Sequence, residues 1–441
     1  MTLERQSAGS IWGNRPFILL WTAQAISQTA QNAIWFALMV LVEETTHSTT
    51  QIGLAIVSFI LPSIIFTVPA GVLVDRIDKR LVLVSTNWLR AFVVLGYLVF
   101  NTSVAAVYAV TFVFSIISQF FLPAEAAMIP TLVGRERLIT ANSLFNLTFT
   151  ISQLVGIVFM APIIIKFFGT GTLFVLIALL FALCGALVFP LPSRTRTHAE
   201  GMAEEEIQAV RRFFFDLRET WHFLVTDRVA TIAMVVLTSG ATLTLITAML
   251  APRYVVTVVG IRADDTVYIL APAGFGMALG ALLIGRLSRM LAKELLVVVG
   301  TGGVALGMGL LAAVSPLGSS LLPPAMAVVG QLGLSGVVGL TAAVMLIAAV
   351  TGFALSLVLI PSQTILQEQA PVASRGRIFA VQIMLGNLAS LLPLVFVGGL
   401  ADVIGVSWVM GLLAVAMFVL GWVTFRSYRS RIWGEPTAPA A

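Results

Sequence analysis

Long stretches almost free of charged residues alternate with short charged segments along nearly the whole chain. Each apolar stretch has the roughly 20 residues that a helix needs to cross a bilayer core about 30 Å thick. Helices are expected because backbone groups inside lipid have no water to bind. The run Leu176–Val188 also lacks the alternation of a membrane β-strand. The pattern predicts twelve spans, at 16–42, 51–74, 81–101, 104–127, 141–166, 170–190, 229–255, 265–288, 294–314, 338–363, 377–401 and 405–425.

The basic residues fall almost entirely on one side of these predicted spans. If the N-terminus is cytoplasmic, only Lys166, Arg253 and Arg262 lie on the opposite side, and Arg90 lies within a span. Cytoplasmic loops of membrane proteins carry an excess of Lys and Arg. The sequence therefore predicts a multi-pass protein of the cell (inner) membrane with both termini in the cytoplasm.

The composition supports this prediction and argues against other classes of protein. Hydrophobic residues make up 59% of the 441 residues and charged residues 10%, whereas a soluble domain is about 25% charged. The net charge of +5 lies in short loops, which indicates membrane topology and not a nucleic-acid surface. One Cys and three His, at positions 47, 198 and 222 in predicted loops, offer no metal cluster and no catalytic grouping. We therefore expect no enzyme, no metal and no cofactor.

The segment from Leu295 to Gln367 contains no charged residue and has room for a third span. A third span would move Arg375, Arg377 and the basic tail to the outer side, so we expect residues 315–336 to form a re-entrant or interfacial segment. The charged stretch between the sixth and seventh spans suggests two similar halves. The predicted organisation is a six-helix half at 1–190, a linker with a surface helix at 191–228, a second six-helix half at 229–426 and a cytoplasmic tail at 427–441.

The loop between the second and third predicted spans reads GVLVDRIDKR, from Gly71 to Arg80. It resembles the Gly-x-Leu-x-Asp-Arg-x-Gly-Arg-Lys loop of the major facilitator superfamily, with Asp78 in place of the second glycine. Other segments resemble the branch that contains the macrolide-efflux proteins and the enterobactin exporter. They are Phe121-Leu122-Pro123-Ala124, Ile129-Pro130, Ala141-Asn142, Leu217-Arg218-Glu219, Gln367-Glu368 and Arg375-Gly376-Arg377.

The resemblance implies the major facilitator fold, an all-α polytopic membrane protein of twelve helices in two six-helix halves. It also implies a secondary active transporter that exports drug-like or siderophore-like amphipathic molecules by alternating access and proton antiport. A flippase of lysophospholipids or other lipids with the same fold is the alternative. The expected partners are a small amphipathic substrate, protons and the lipid bilayer, and we expect a monomer.

In the superfamily, the Asp of the loop after helix 2 interacts with the start of helix 11 and helps to close the cytoplasmic side. Asp75 corresponds to it here, and an anion is stabilised at a helix N-terminus. The alternative is that these charges only solvate a loop and set the topology. The gating candidates are Gly71, Asp75, Arg76, Lys79, Arg80, Arg135, Arg137, Glu368, Arg375 and Arg377.

Two ionisable residues inside the spans are candidates for energy coupling. Arg90 follows Arg80 by ten residues, about 15 Å along a helix, which places it near mid-membrane. A charge there is costly and is by default a functional candidate, although structural pairing is the alternative. Helix 1 has Gln31 and Asn32 where many relatives carry an acid, so Glu125 in helix 4 is the proposed proton carrier.

Helix 1 carries a stripe of amide and indole side chains at steps of three and four residues. Such a stripe is too polar to face lipid, and the resemblance implies that helices 1, 4, 7 and 10 line the cavity. Hydrogen bonding between helices is the alternative. The cavity candidates are Gln24, Gln28, Gln31, Asn32, Trp35, Gln119, Ser239, Thr242 and Gln363.

Overall fold

A computed structural model describes residues 11–193, 226–320, 336–369 and 375–432. Over these residues the regular structure is helical, as the sequence predicts. The main helices are α1 (Arg15–Thr46), α2 (Thr49–Arg76), α3 (Lys79–Val99), α4 (Val104–Leu132), α5 (Leu138–Leu154), α6 (Ala161–Val188), α7 (Arg228–Tyr254), α8 (Val267–Met290), α9 (Lys293–Ser320), α10 (Gly336–Gln369), α11 (Arg375–Ile404) and α12 (Val406–Ile432).

Eleven helical segments among the described residues are long and apolar enough to cross a membrane. One of them, Leu138–Val188, has 51 residues, whereas a single crossing needs about 20. It contains a π-helical stretch, Val155–Met160, and a break at Gly169, where φ is 85° and ψ is 162°. A left-handed φ of this kind is accessible to glycine at little cost. The break separates two crossings, so the described chain supplies the twelve that the sequence predicts.

Several helices run further than the predicted spans. The structure extends α1 through Glu43 and Glu44 to Thr46, and α9 continues to Ser320. A hydropathy boundary falls at the first polar turn, whereas the hydrogen-bond ladder continues through that turn. Residues 321–335, which include most of the predicted re-entrant segment, lie outside the described residues, as do residues 194–225 with the predicted surface helix.

The chain divides into two compact units. The first contains Met1–Thr46 and Leu54–Val210, and the second contains His47–Gly53 and Arg211–Ala441. The division places the first turn of α2 in the second unit. Each unit can therefore be described by its own contacts.

In the first unit, α1, α3, α4 and α6 enclose a buried core. It includes Phe17, Leu83, Phe121 and Cys184, one from each of these helices. In the second unit, α10 packs on α8 so closely that the backbones touch. A Cβ atom added to Gly352 would overlap the carbonyl oxygen of Ala273. Small residues allow such close helix packing in membranes, where dispersion and hydrogen bonds drive association.

Candidate functional site: a buried polar cluster and the helix ends

Arg90 is buried in the core of the first unit, with 1% of its surface exposed. Its Nη1 donates to Ser27 Oγ of α1 at 3.1 Å, and its Nη2 donates to the carbonyl oxygen of Ser118 in α4 at 3.4 Å. The guanidinium carbon lies 4.4 Å from the centre of the Phe121 ring and 5.5 Å from that of Phe181. A cation over aromatic faces is stabilised most when it is desolvated. Arg90 thus connects three other helices to α3.

Glu125 is the second ionisable residue of this cluster, and 2% of its surface is exposed. It lies one helical turn beyond Phe121 on α4 and interacts electrostatically with Arg90. Its Oε1 is buried and has no hydrogen-bond partner among the described residues. An unsatisfied buried acceptor costs about 1–3 kcal/mol. The structure therefore brings together the two coupling candidates that the sequence singles out.

Polar atoms of α1 and α3 lie near these charges. Gln24 and Asn87 are buried, and the side-chain oxygen of each has no hydrogen-bond partner within the described part of the chain. Each is one turn away from a residue of the Arg90 contact, Gln24 from Ser27 and Asn87 from Arg90 itself. The sequence analysis did not single out Asn87, although it precedes Arg90 by three residues and such residues lie on the same side of a helix.

The remaining candidates on helix 1 differ in how deeply their side chains are buried. Gln28 is buried, whereas Gln31, Asn32 and Trp35 are half-buried. The amide nitrogen of Asn32 donates to the carbonyl oxygen of Gln28 at 2.8 Å, and the Trp35 ring lies 4.7 Å from that of Phe59. These contacts lie within the first unit, and the assignment of the stripe to a cavity stays a prediction.

The candidates on α4, α7 and α10 differ in their hydrogen bonding. Gln119 donates to the carbonyl oxygen of Ser115 at 3.2 Å and accepts from Thr67 at 3.1 Å. Thr242 is buried, and its hydroxyl shares a hydrogen bond of 2.7 Å with Ser390 of α11. That contact matches the alternative of interhelical bonding. Ser239 and Gln363 are half-buried.

Two basic side chains at the junction between α2 and α3 make close contacts there. Lys79 Nζ donates to the carbonyl oxygens of Asp75 and Ile77, at 2.6 and 3.2 Å, and so satisfies the free C-terminus of α2. The Arg80 guanidinium lies 4.8 Å from the centre of the Phe189 ring. Gly71 is half-buried, while Asp75 and Arg76 are exposed.

Asp78 caps α3, a role that the comparison with the family loop did not suggest. Its side chain accepts from the Arg80 backbone N–H at 2.9 Å and from the Ser193 hydroxyl. Its φ of −57° is an ordinary value for any residue, so this turn does not need the glycine that relatives carry there. Asp at an N-cap is strongly preferred.

The other gating candidates lie at helix ends. Glu368 at the end of α10 forms a salt bridge with Lys293 at the start of α9. Arg137 is the last residue of the 3-10 turn that begins at Arg135, and it directly precedes α5. Arg375 begins α11, and the side chains of Arg135, Arg375 and Arg377 lie outside the described part.

The described part of the chain therefore forms a polytopic helical membrane fold of twelve crossings, with a buried ionisable cluster in its first unit. The sequence matches the Major Facilitator Superfamily over residues 20–345. This chain therefore belongs to the Major Facilitator Superfamily, and it is a multi-pass membrane transporter. The predicted fold and family are confirmed.

Individual relatives support the same assignment. The chain is 25% identical over 410 residues to the uncharacterized MFS-type transporter YfiS of Bacillus subtilis, covering 92% of this chain and 91% of YfiS. It is 29% identical over 148 residues to macrolide efflux protein A of Streptococcus pyogenes, covering 32% of this chain and 36% of that protein. The match to YkuC of Bacillus subtilis spans a similar share, 35% of that relative. Among solved structures, the nucleoside transporter NupG superposes with a TM-score of 0.70 at 13% identity, covering 94% of this chain and 99% of NupG.

Proposed function

We propose that this transporter exports hydrophobic or amphipathic small molecules by alternating access, in exchange for protons. The proposed orientation has both termini on the cytoplasmic side of the cell (inner) membrane, with a single chain as the working unit. The similarity to macrolide efflux protein A supports the substrate class, but it spans only 32% of this chain. The superfamily fold is compatible with unrelated cargo.

The observation that carries the coupling proposal is the burial of Glu125 beside Arg90. Both side chains are almost completely buried, and Oε1 of the carboxyl has no hydrogen-bond partner among the described residues. An ionisable residue inside a membrane span is expensive to keep and is by default a functional candidate. Proton exchange by the Glu125 carboxyl would be such a function.

Arg90 would transmit the charge state of Glu125 to the surrounding helices. When Glu125 takes up a proton, its attraction for the guanidinium disappears, while the hydrogen bonds from Arg90 to Ser27 and Ser118 remain available. Those bonds join α3 to α1 and α4. A change in the charge of one carboxyl is thereby converted into a change in the forces between three helices.

Asp75 is the proposed gate residue. It lies in the last turn of α2, where an acidic side chain is opposed by the helix dipole. A carboxylate in that position is more favourably placed when it interacts with the positive N-terminal end of another helix. Lys79 already satisfies the carbonyl oxygen of Asp75, which leaves the carboxylate to act separately from the helix end.

The stripe from Gln24 to Trp35 and Gln119 on α4 are the proposed substrate contacts of the first unit. Amide and indole groups can bind amphipathic molecules by hydrogen bonds and by apolar contact. Ser239 and Gln363 are the corresponding proposals in the second unit. We give Thr242 a packing role, because its hydroxyl is already bonded to Ser390.

Transport by purified protein in proteoliposomes tests the proposal. A pH gradient with the acidic side inside should drive uptake of a macrolide or of ethidium through the molecules whose cytoplasmic side faces outward, and Glu125→Gln should abolish this gradient-driven uptake. Glu136→Gln is the matched control, because Glu136 is an exposed carboxylate in the 3-10 turn between α4 and α5 and its replacement should leave transport unchanged. Uptake that continues at the same rate after the pH gradient is collapsed would contradict coupling to protons. Movement of a fluorescent lysophospholipid without drug transport would favour the flippase instead.

A further inference from the structure

Four buried polar atoms in the core of the first unit have no hydrogen-bond partner among the described residues. They are the side-chain oxygens of Gln24 on α1, Asn87 on α3 and Glu125 on α4, together with Nε of Arg90 on α3. None of the four side chains is more than 4% exposed. Buried polar groups in proteins are normally hydrogen-bonded, and leaving one unpaired costs free energy. A further hydrogen-bonding group is therefore needed at this place.

The two amide side chains lie on the same side of the Arg90 contact. Asn87 precedes Arg90 by three residues, so the two share one side of α3. Gln24 precedes Ser27, the hydrogen-bond partner of Arg90 on α1, by the same number. Helices α1 and α3 run parallel, because each of the two short turns between them reverses the chain. Both amides are therefore displaced from the contact by one turn in the same direction.

Helices α4 and α6 run in the opposite direction and contribute to the same layer. Glu125 follows Phe121, the ring closest to the Arg90 guanidinium, by four residues. Cys184 follows Phe181, the second ring beside that guanidinium, by three residues. Cys184 also interacts electrostatically with Arg90 and with Glu125. Four helices thus each place one polar side chain on the same side of the guanidinium.

The donors and acceptors of this layer indicate which ligand it can bind. Three of the four atoms are oxygens that accept, and only Nε of Arg90 carries a hydrogen to donate. That hydrogen can serve one oxygen, so the others need donors from a ligand. A water molecule that accepts from Nε and donates to two oxygens makes three hydrogen bonds, about the number typical of a buried water. A metal cation also binds oxygen atoms, but the positive charge of the neighbouring guanidinium repels it.

We propose that Gln24, Asn87, Arg90 and Glu125 hold a buried water molecule, which keeps the Glu125 carboxyl hydrogen-bonded in both of its protonation states. The ionised carboxylate accepts a hydrogen bond from the water. The protonated carboxyl donates to the water or to the side-chain oxygen of Gln24 or Asn87. Glu125 can therefore change its charge without leaving an unpaired group in the core. The role of the water toward Glu125 rests on the proposed proton exchange, whereas the water site itself does not.

Hydroxyl-radical footprinting of the full chain in lipid nanodiscs tests the water site. A millisecond X-ray exposure splits water, and radicals from a bound water oxidise the nearest side chains even where bulk solvent does not reach. Cys184 and Met308 are both completely buried sulfur-containing residues, but Met308 lies on α9 in the second unit. Mass spectrometry should find Cys184 oxidised several times faster than Met308. Equally slow oxidation of the two sulfur atoms would overturn the proposal.

Two substitutions test whether the amide oxygens hold the water. Asn87→Leu and Gln24→Leu should each slow the oxidation of Cys184 about fivefold, the effect of one lost hydrogen bond on the occupancy of the water. General loosening would have the opposite effect, because it admits bulk water. Thr86→Val is the matched control beside Asn87, since the Thr86 hydroxyl already donates to the Val82 carbonyl oxygen at 2.7 Å. It should leave the oxidation of Cys184 unchanged, and an equally small effect of both amide substitutions would overturn the proposed site.

Glu125→Gln separates the water site from proton exchange. The amide keeps an oxygen in place of the carboxylate oxygen, so Cys184 should still be oxidised quickly, whereas the proposed function expects gradient-driven uptake to be lost. Fast oxidation of Cys184 together with uptake that survives Glu125→Gln would support the water site and contradict the proposed proton exchange. Slow oxidation of Cys184 in the unsubstituted chain together with loss of uptake in Glu125→Gln would overturn the water site alone.

Discussion

The guanidinium of Arg90 lies 4.4 Å from the centre of the Phe121 ring while it donates to Ser27 on a third helix. Stacking and hydrogen bonding together require the flat, forked shape of a guanidinium. A positive charge alone does not meet that requirement. The role of Arg90 can therefore be separated from its charge by experiment.

Arg90→Lys should destabilise the protein by about 1–3 kcal/mol, because one ammonium group cannot bond Ser27 and Ser118 and also stack on Phe121. Thermal unfolding in detergent, followed by size-exclusion chromatography, measures the effect. Arg426→Lys is the matched control, because its guanidinium lies 5.6 Å from the centre of the Trp422 ring at a less buried position. The control should change stability by less than about 0.5 kcal/mol. Equal effects of the two substitutions would contradict the shape argument.

Thr242→Val and Ser390→Ala should each cost about 1 kcal/mol, and the double variant should cost less than the sum. The two hydroxyls bond to each other, so removing either one removes the same bond. Urea or thermal unfolding of all four proteins completes the cycle. Additive costs, together with a raised KM for the transported dye in Thr242→Val alone, would return Thr242 to the substrate cavity.

Gly352→Ala should strongly destabilise the second unit, because the new methyl group would overlap the Ala273 carbonyl oxygen. Overpacking of this kind costs about 1–3 kcal/mol. Gly302→Ala provides the comparison on α9, because an added Cβ there meets no atom within 4 Å. It should be neutral or stabilising, since alanine is favoured over glycine in a helix by about 1 kcal/mol. Comparable losses at both positions would show that α10 is not in backbone contact with α8.

Glu368→Gln should change stability by less than about 1 kcal/mol, because its salt bridge with Lys293 is partly exposed. If the pair also participates in gating, the transport rate should fall in Glu368→Gln and recover in the reversed pair Lys293→Glu/Glu368→Lys. The initial rate of dye uptake measures this. An unchanged rate in the single variant would leave the pair with a purely structural role.

The sequence predicts the helices well, because a bilayer imposes a length and a polarity on each span. The break at Gly169 falls between the predicted spans 141–166 and 170–190. The predicted boundaries agree less closely with the structure. Helix α4 continues past Pro123 and Pro130 to Leu132, because the ends of a helix are set by hydrogen bonding and not by hydropathy.

The candidate site is predicted only in part. Arg90 and Glu125 stand out because a charge inside a span is rare and costly. Their partners Ser27 and Phe181 do not stand out, since serine and phenylalanine are ordinary residues in membrane helices. The Ser48 hydroxyl donates to the Asp402 carboxylate at 2.6 Å across 354 positions of the chain, and no spacing in a single sequence reports such a pair.

Gly169 also has a practical consequence for mapping the topology of this protein. The fifth and sixth crossings are joined with almost no loop, since the helix resumes directly after this single glycine. A reporter enzyme or an epitope tag inserted there would have to displace helical residues of both crossings. Topology mapping by loop insertion would therefore miss this reversal, count eleven crossings and assign the two termini to opposite sides. A small thiol probe at the neighbouring exposed position Phe168 would report the correct side.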